Sequence, residues 1–405
     1  MTPESKIQKE LSRGTDASVV DLIDALIEHA QKARVSDIHI APLEQSVRIR
    51  FRIDGVLQDV YSFPKDLHMV MISRIKVLAG IRTDEHKAAQ DGRFRLMLED
   101  IGAIDIRISI VPTYFGENAV LRLLSDKAED FTMEKLGFSK SDREKIIKAA
   151  QRPYGMILAT GPTGSGKTTT LYNLIKLLNT KDTSIITIED PIEYAIEGIE
   201  QIQVNPGAGL TFANGLRSIL RQDPNVIMVG EIRDVETANI AVNTALTGHL
   251  LLSTLHTNDA STTLPRLLDM KIEPFLVAST VNIAIGQRLV RKICSKCKEE
   301  RELTVSERKS LSETLSTDLL KETSKMYHGK GCDHCINTGY KGRLVINEVL
   351  TIDNEIREAL LNKAPASTIK KIAVKNGMTP MVEDGIKKAL EGLTTFEEIL
   401  RVVHD

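Results

Sequence analysis

A glycine-rich motif in the middle of the chain constrains the fold more than any other feature. Residues 161–168 read GPTGSGKT and fit the pattern G-x-x-x-x-G-K-[ST] at every defined position. A short apolar run at 156–159 precedes the motif, and a helical pattern over 169–178 follows it. A phosphate-binding loop requires this order of strand, loop and helix, because backbone N–H groups and the helix N-terminus surround the phosphates. The motif therefore predicts a nucleotide-binding protein.

Two side chains of the motif have defined chemical roles in such a loop. Lys167 is expected to reach the β- and γ-phosphates, and the Thr168 hydroxyl is expected to ligate Mg²⁺. The predicted nucleotide-binding residues are Gly161, Pro162, Thr163, Gly164, Ser165, Gly166, Lys167, Thr168 and Thr169.

Length and composition narrow the class of protein. A chain of 405 residues is expected to form two or three domains. The formal net charge of −2 and the absence of Trp give no support for direct binding of nucleic acid. No apolar stretch approaches the roughly 20 residues that span a bilayer, and the polar N-terminus lacks the apolar core of a signal peptide. We expect a cytoplasmic protein that reaches membranes only through partners.

The pattern of the first third of the chain predicts a mixed α+β domain over residues 18–125. A helical period covers 19–33, and alternating strands at 36–40 and 47–53 follow it. Asp54-Gly55 is a strong hairpin signal between two such strands. We interpret residues 1–17 as a polar lead and the charged segment 126–137 as a linker.

Strands and helices alternate over residues 138–290, which predicts a doubly wound parallel sheet. Active residues are then expected at the carboxyl ends of its strands. All four cysteines lie between residues 291 and 347, and residues 348–405 show the pattern of short helices.

Two acidic residues follow predicted strands of this second domain. Glu193 lies in the segment TIEDPIEY, and Glu231 follows the apolar run 226–229, where Gly230-Glu231 replaces the usual Asp-Glu pair of a Walker B motif. ATP hydrolysis needs Mg²⁺ held opposite the loop and a base that orients the attacking water. Glu231 and Glu193 are the candidates for these two roles, with Glu231 also predicted as a Mg²⁺ ligand; the sequence does not decide which acid takes the proton.

Two histidines, His249 and His256, flank the next apolar strand. We interpret the pair as a sensor of the γ-phosphate, because neutral imidazole can hydrogen-bond phosphate. A structural role for both histidines remains equally open from the sequence.

The cysteines form two pairs, Cys294-x-x-Cys297 and Cys332-x-x-Cys335. Four cysteines in two such pairs are typical of a structural zinc site, and disulfides are disfavoured in the cytoplasm. The 34 intervening residues exceed the usual spacing, and the segment 298–323 is interpreted as an inserted helical arm.

Four segments together carry a family resemblance: GPTGSGKTTT, TIEDPIEY, LRSILRQDPNVIMVGEIRD and TGHLLLSTLHTN. In this order they resemble the Walker A motif, Asp box, Walker B motif and His box of the type II secretion/type IV pilus ATPase superfamily. The resemblance extends from about residue 18 to the end. It implies a PAS-like N-terminal domain, a RecA-like ATPase domain and a ring of six chains that binds nucleotide between the two domains.

The resemblance also assigns four arginines to the phosphates. Arg107 and Arg122 match arginines of the family's N-terminal domain, and Arg217 and Arg221 match those of the helix before the Walker B strand. Positive charge at the γ-phosphate stabilises the transition state. Without the resemblance, Arg107 and Arg122 would be interpreted as outward-facing strand residues.

Within the family, the four cysteines are typical of the assembly branch. The resemblance implies a homohexameric ATPase with ATP, Mg²⁺ and Zn²⁺ that powers assembly of a type IV pilus or a type II secretion pseudopilus. It would work with a platform protein at the cytoplasmic face of the inner membrane. The alternatives are a retraction ATPase, a DNA-translocating secretion ATPase, which the near-zero charge disfavours, and a zinc-ribbon nucleotide switch, which the two glutamates disfavour.

Overall fold

The computed structural model divides the chain into two compact units, residues 1–129 and 130–405. It describes residues 2–98, 102–124, 132–315 and 325–403. Each unit has a large β-sheet of its own. The predicted α/β class, with a parallel sheet in the second unit, is confirmed.

The first unit is a six-stranded antiparallel sheet whose apolar face is covered by helices. The strand order is β3-β2-β1-β6-β5-β4. The elements, in chain order, are α1 (Pro3–Ser12), α2 (Val19–Lys32), β1 (Val35–Pro42), β2 (Ser46–Ile53), β3 (Val56–Pro64), α3 (Leu67–Ala79), β4 (Gln90–Leu98), β5 (Gly102–Thr113) and β6 (Gly116–Leu124).

Helix α1 corrects the interpretation of residues 1–17 as a polar lead that precedes the first domain. Thr2 caps its N-terminus through the amide of Ser5, and Pro3 occupies the first helical position. Ile7 is fully buried in the core of the first unit, and Lys6 pairs with Glu28 of α2 at 2.8 Å. The helix was missed because so few apolar side chains anchor it.

The predicted hairpin at Asp54-Gly55 is confirmed. Ile53 pairs with Val56, so the two residues between them form the whole loop. Both have positive φ angles, 49° for Asp54 and 88° for Gly55. This is the backbone of a type I′ turn, whose twist matches that of the flanking strands.

The second unit is organised around a seven-stranded sheet of order β15-β12-β7-β11-β10-β8-β9. All neighbours are parallel except β12 and β15, which are antiparallel. The elements are α4 (Met133–Leu136), α5 (Lys140–Ala150), β7 (Gly155–Thr160), α6 (Lys167–Leu178), β8 (Ile185–Glu189), β9 (Glu200–Gln203), α7 (Phe212–Ile219), β10 (Val226–Val229), α8 (Val235–Leu246), β11 (Leu250–Leu255), α9 (Ala260–Asp269), α10 (Pro274–Thr280), β12 (Val281–Ile293), β13 (Lys298–Glu302), α11 (Val305–Leu315), β14 (Lys325–Gly329), β15 (Tyr340–Thr351), α12 (Asn354–Leu361), α13 (Ala366–Lys375), α14 (Met381–Leu390) and α15 (Phe396–Val403).

Helices cover both faces of this sheet. One apolar cluster joins it to α7–α10, α12 and α13, and another joins it to α4–α6. Strands β7, β10 and β11 are buried along their whole length, as expected for a parallel sheet covered on both faces. Polar chemistry is therefore confined to the ends of these strands.

The elements do not follow the predicted boundaries in three places. Helix α4 lies inside the predicted linker, and its Leu136 is buried in the second unit; residues 125–131 lie outside the described residues. Strands β12 and β15 run through the boundaries at 290/291 and 347/348, so the cysteine segment is an extension of the ATPase sheet. The predicted helical arm begins with strand β13 and continues as α11; residues 316–324 lie outside the described residues.

None of the helices in the described ranges combines the length and the apolarity that crossing a bilayer requires.

The four predicted helices at the C-terminus are confirmed as α12–α15.

Candidate nucleotide site and cysteine cluster

The glycine-rich loop connects the end of β7 to the start of α6. Gly161 and Gly166 have φ angles of 145° and 88°. A Cβ atom at Gly161 would lie 2.4 Å from the carbonyl oxygen of Gln287, so only glycine fits there. Lys167 donates hydrogen bonds to the carbonyl oxygens of Gly161 (2.8 Å) and Pro162 (3.0 Å). Burial holds the pKa of Lys167 below its ordinary value, against the opposing charge of Glu231.

Gln287 is a site residue that the sequence did not reveal. It is fully buried on β12, and its Nε2 donates a 2.8 Å hydrogen bond to the carbonyl oxygen of Ser165. This bond holds the glycine-rich loop against a strand more than 100 residues further along the chain. The signal in the sequence was weak, because Gln287 is one of three polar side chains, with Asn282 and Arg288, in the mainly apolar run 281–290.

Glu231 lies directly beyond β10, at the carboxyl edge of the sheet. Its Oε2 pairs with Arg233 and lies 3.3 Å from Nε2 of His256, and 12% of the side chain is exposed. The hydrogen bond to Glu231 raises the pKa of Arg233. The structure therefore brings Lys167, Glu231 and His256 to one edge of the sheet. Glu231 lies there between the basic side chains of Arg233 and His256.

The segment TIEDPIEY, which begins within β8, contains a buried carboxylate that was not predicted as a site residue. Glu189 accepts hydrogen bonds from the hydroxyls of Tyr172 and Thr187 (2.6 Å to the latter) and from Nε2 of Gln201 (3.2 Å). Burial and the bond to Glu189 raise the pKa of Tyr172. Glu193 is exposed, in contrast. Because Glu189 is satisfied inside the protein, Glu193 stays the predicted acid of this segment.

The two histidines lie at opposite ends of β11, which corrects their interpretation as one sensor pair. Leu255 pairs with Thr160, so His256 lies beside the start of the glycine-rich loop. His249 precedes the strand, its carbonyl oxygen accepts the amide of Gly155, and its Nδ1 lies 3.3 Å from the carbonyl oxygen of Thr244. At about 3.3 Å per residue, the two histidines are on the order of 20 Å apart. Of these two histidines in one chain, only His256 lies at the edge of the sheet that carries the glycine-rich loop.

Arg217 and Arg221 lie on α7 and just after it. Arg217 pairs with Glu236 of α8 at 2.6 Å, and Arg221 donates to the carbonyl oxygen of Arg217 (2.9 Å) and to the Ser218 hydroxyl (3.1 Å). The structure thus holds both arginines by groups on α7 and α8. Their contact with phosphates stays a prediction.

Arg107 and Arg122 belong to a row of charged residues on the exposed face of the first unit's sheet. The two arginines are directly opposite each other on β5 and β6. The strand register extends the row in both directions, and in spatial order it comprises Arg52, Asp37, Arg122, Arg107 and Arg93. The sequence predicted the two central arginines but not the row, because the row depends on the order and register of five strands.

Asp37 is the acid within this row. Its Oδ1 accepts a 2.8 Å bond from Nε of Arg122, and its Oδ2 lies 3.6 Å from Nε of Arg52. Burial acts to raise the pKa of Asp37, but the hydrogen bonds from Arg122 and Ser36 outweigh it and lower the pKa. The carboxylate stays charged and holds Arg122, whose side chain is 64% exposed, in a defined position.

The four cysteines converge where β12 and β15 extend beyond the sheet. Their Sγ atoms all lie within 4.8 Å of one another, with three of the separations at 3.7, 3.8 and 3.9 Å. Four sulfurs at about 2.3 Å from a tetrahedral zinc ion are separated by about 3.8 Å. The amides of Cys332 and Gly339 donate to Sγ of Cys335, which lowers the pKa of that thiol against the effect of burial. The cluster therefore fits a zinc ion in both geometry and chemistry.

Three features define a P-loop ATPase: the parallel sheet, the glycine-rich loop after β7 and the acid Glu231 beyond β10. The model of the Type II/IV secretion system protein family matches residues 12–401, and the chain belongs to this family. The type IV pilus assembly ATPase PilB of Myxococcus xanthus is 46% identical over 385 residues, 95% of this chain and 68% of that protein. The type II secretion system protein E of Xanthomonas campestris is 46% identical over 396 residues, 96% and 68% of the two chains.

Solved structures agree with the fold. The pilus retraction motor PilT with bound ADP is 26% identical, with a TM-score of 0.62 and coverage of 95% of this chain and 97% of that chain. The ATPase DotB of Legionella pneumophila has a TM-score of 0.69 at 22% identity, with coverage of 94% and 95%. The second similarity concerns the fold alone.

Proposed function

We propose that this chain is a Mg²⁺-dependent ATPase that powers assembly of a type IV pilus or a type II secretion pseudopilus. The observation that carries the proposal is the convergence of Lys167, Glu231 and His256 at one edge of the parallel sheet. The names of the relatives, which are pilus assembly and type II secretion ATPases, support the cellular role.

The residues at this edge have distinct roles in the proposed reaction. Lys167, which bonds to loop carbonyl oxygens in the structure, would turn to the β- and γ-phosphates of ATP. Thr168 and Glu231 would hold Mg²⁺, which supplies positive charge against the phosphates when bound. Glu193, which is exposed and lies four residues beyond the end of β8, would orient the attacking water. His256, beside Glu231, would hydrogen-bond the γ-phosphate.

The ring is part of the proposal. In a homohexamer, Arg107 and Arg122 of one chain would reach the nucleotide of a neighbouring chain, together with Arg217 and Arg221. Asp37 supports this role because it holds Arg122 at the exposed sheet face. Arginines at the γ-phosphate would make turnover depend on assembly, since each site would be incomplete in a single chain.

The cysteine cluster and the partners complete the proposal. Cys294, Cys297, Cys332 and Cys335 would hold a structural Zn²⁺ that fixes the extension of β12 and β15. The ring would act on a membrane platform protein at the cytoplasmic face of the inner membrane, without direct contact to nucleic acid. Displacement of domains during the ATP cycle would be the output, through different affinities of open and closed states for nucleotide.

The test is phosphate release by the purified chain with ATP and Mg²⁺, after separation by size, with Glu231→Gln beside the wild type. We expect turnover in a hexamer-sized fraction and a loss of about a hundredfold or more in Glu231→Gln. Lys167→Ala serves as the control that lacks phosphate binding. Equal turnover in monomer and ring would contradict the shared site, and no turnover in any fraction would contradict the ATPase.

A further inference from the structure

One buried acid of the second unit has no role in the proposed reaction. Glu348 lies on β15, and the residue is 1% exposed. One of its carboxylate oxygens accepts the backbone N–H of Ala260 at 2.8 Å, and the other accepts the backbone N–H of Met381 at 3.2 Å. Ala260 and Met381 are the first residues of α9 and α14. The carboxylate therefore joins the N-termini of two helices that are more than 100 residues apart.

Such a position suits a carboxylate. The first N–H groups of a helix have no partner within the helix, and the helix dipole places partial positive charge there. Lys370 of α13 adds a cation, with its Nζ 3.9 Å from Glu348 and 3.5 Å from Asp259. Burial holds the pKa of Glu348 above its ordinary value, while Lys370 and the two amides act in the opposite direction.

The start of α9 is connected to the glycine-rich loop by a short chain of hydrogen bonds. Residues 256–259 lead directly into α9. Within them, the amide of Thr257 donates to the Thr160 hydroxyl (3.2 Å), which donates to the carbonyl oxygen of Thr257 (3.0 Å). Thr160 is the last residue before Gly161. A displacement of α9 would therefore move both His256 and the start of the loop.

Gly286 on β12 makes room for this arrangement. A Cβ atom at Gly286 would lie 2.8 Å from the amide nitrogen of Ala260 and 3.1 Å from Cγ of Glu348. The next residue, Gln287, supports the glycine-rich loop from the same strand. The helix N-terminus, the buried acid and the loop support thus meet at adjacent positions of β12.

We propose that Glu348 is a positioning residue that holds His256 and the start of the glycine-rich loop in the arrangement required for ATP turnover, and that it links α14 of the C-terminal region to this site. The turnover part rests on the proposed ATPase function. The structural link itself can be measured without turnover.

The first experiment compares Glu348→Gln with a matched control, Glu398→Gln, in the full chain. Glu398 has a side chain that is 2% exposed and pairs with Arg291 and Arg401 at 2.7 Å, and its pKa is lowered to about 2. It contacts β12 four residues beyond Gln287, about 13 Å further along the strand. We expect kcat for ATP to fall about tenfold in Glu348→Gln, with ADP affinity within about threefold of wild type, and about twofold or less in Glu398→Gln. Equal losses in both variants would overturn the proposal.

Combining substitutions separates positioning from general destabilisation. If Glu348 acts through the His256 segment, Glu348→Gln in a His256→Ala background lowers kcat by about twofold or less beyond His256→Ala alone. A multiplicative loss would mean that Glu348 does not act through His256, which would overturn this part of the proposal. Should Glu348→Gln fail to fold, Lys370→Gln replaces it, with Lys375→Gln on the same helix as the control. We expect about a threefold loss only in Lys370→Gln, and equal rates would overturn the proposal.

Hydrogen exchange of the backbone amides decides the question independently of activity. We expect Glu348→Gln to accelerate exchange in residues 256–263, whereas Glu398→Gln leaves this segment unchanged. Unchanged exchange there in Glu348→Gln would overturn the positioning role even in an active enzyme. An inactive wild type with the expected exchange would instead contradict the proposed ATPase and leave the link between α9 and α14 supported.

Discussion

The two sheets of this protein place charge in different ways. In the part of the first unit that the structure describes, helices cover one face of the antiparallel sheet, and a row that includes four arginines extends across the other face. The largely parallel sheet of the second unit is covered on both faces, and its charged site residues lie beyond the ends of the strands. A half-covered sheet can therefore use its face for binding, whereas a fully covered sheet has only its edge.

On the sheet face and at the sheet edge alike, an acid of the candidate site lies between two basic groups. Asp37 lies between Arg52 and Arg122 on the sheet face, and Glu231 lies between Arg233 and His256 at the sheet edge. On the face, both partners of the acid are arginines. At the edge, one partner is a histidine beside the glycine-rich loop, where we propose that Mg²⁺ and ATP bind. The comparison shows that the helices covering a sheet decide whether a charge cluster lies on its face, as at Asp37, or at the ends of its strands, as at Glu231.

The largest expected effect tests whether the sheet face takes part in catalysis. Arg107→Gln is expected to lower kcat about a hundredfold or more, because an arginine at the γ-phosphate stabilises transition-state charge. The measurement is phosphate release by the ring fraction at saturating ATP.

Arg95→Gln is the matched control for this test. Arg95 lies on the same face, two residues from Arg93, and its Nε donates to Asp105 at 2.8 Å. We expect its kcat to stay within about twofold of wild type, since surface ion pairs contribute little. If both variants lose activity equally, the arginines of the sheet face contribute to folding and not to catalysis. The proposed use of this face for nucleotide binding would then be contradicted.

A smaller effect separates the two ends of β11. His256→Ala is expected to lower kcat roughly tenfold, because it removes a hydrogen-bonding group beside Glu231 at the phosphate edge. His249→Ala is expected to cost less, because His249 lies at the other end of the strand. Steady-state kinetics of both variants measure this difference. A greater loss in His249→Ala would mean that the amino edge of the sheet contributes to a site in the ring.

The smallest expected effect on turnover concerns the cysteine cluster. Cys294→Ser removes one of four thiolates and is expected to reduce bound zinc below one ion per chain, while kcat stays within about threefold of wild type. Metal analysis and thermal unfolding measure the change; a chelator should lower the midpoint of the wild type more than that of the variant. Zinc that remained at full occupancy in Cys294→Ser would contradict the assignment of this ligand.

Local patterns were sufficient for much of the architecture, including the position of the glycine-rich loop between a strand and a helix. The glycine-rich loop, the type I′ hairpin at Asp54-Gly55 and the four C-terminal helices each depend on residues close together in the chain. Helix α1 was missed because its apolar face is narrow. The boundaries around the cysteines differed because β12 and β15 belong to the ATPase sheet and also carry the cluster.

The sequence by itself identified candidates with suitable chemistry from short-range spacing: Lys167 and Glu231 for the nucleotide site, and the two cysteine pairs for the metal cluster. Only the tertiary structure decided which distant groups meet. The order and register of the strands place His256 beside the glycine-rich loop, align Arg107 with Arg93, and bring Gln287 to the loop. Glu348 reaches two helix N-termini for the same reason, since its contacts span 88 residues in one direction and 33 in the other. Spacing along the chain cannot encode such contacts, because they exist only after the sheet has assembled.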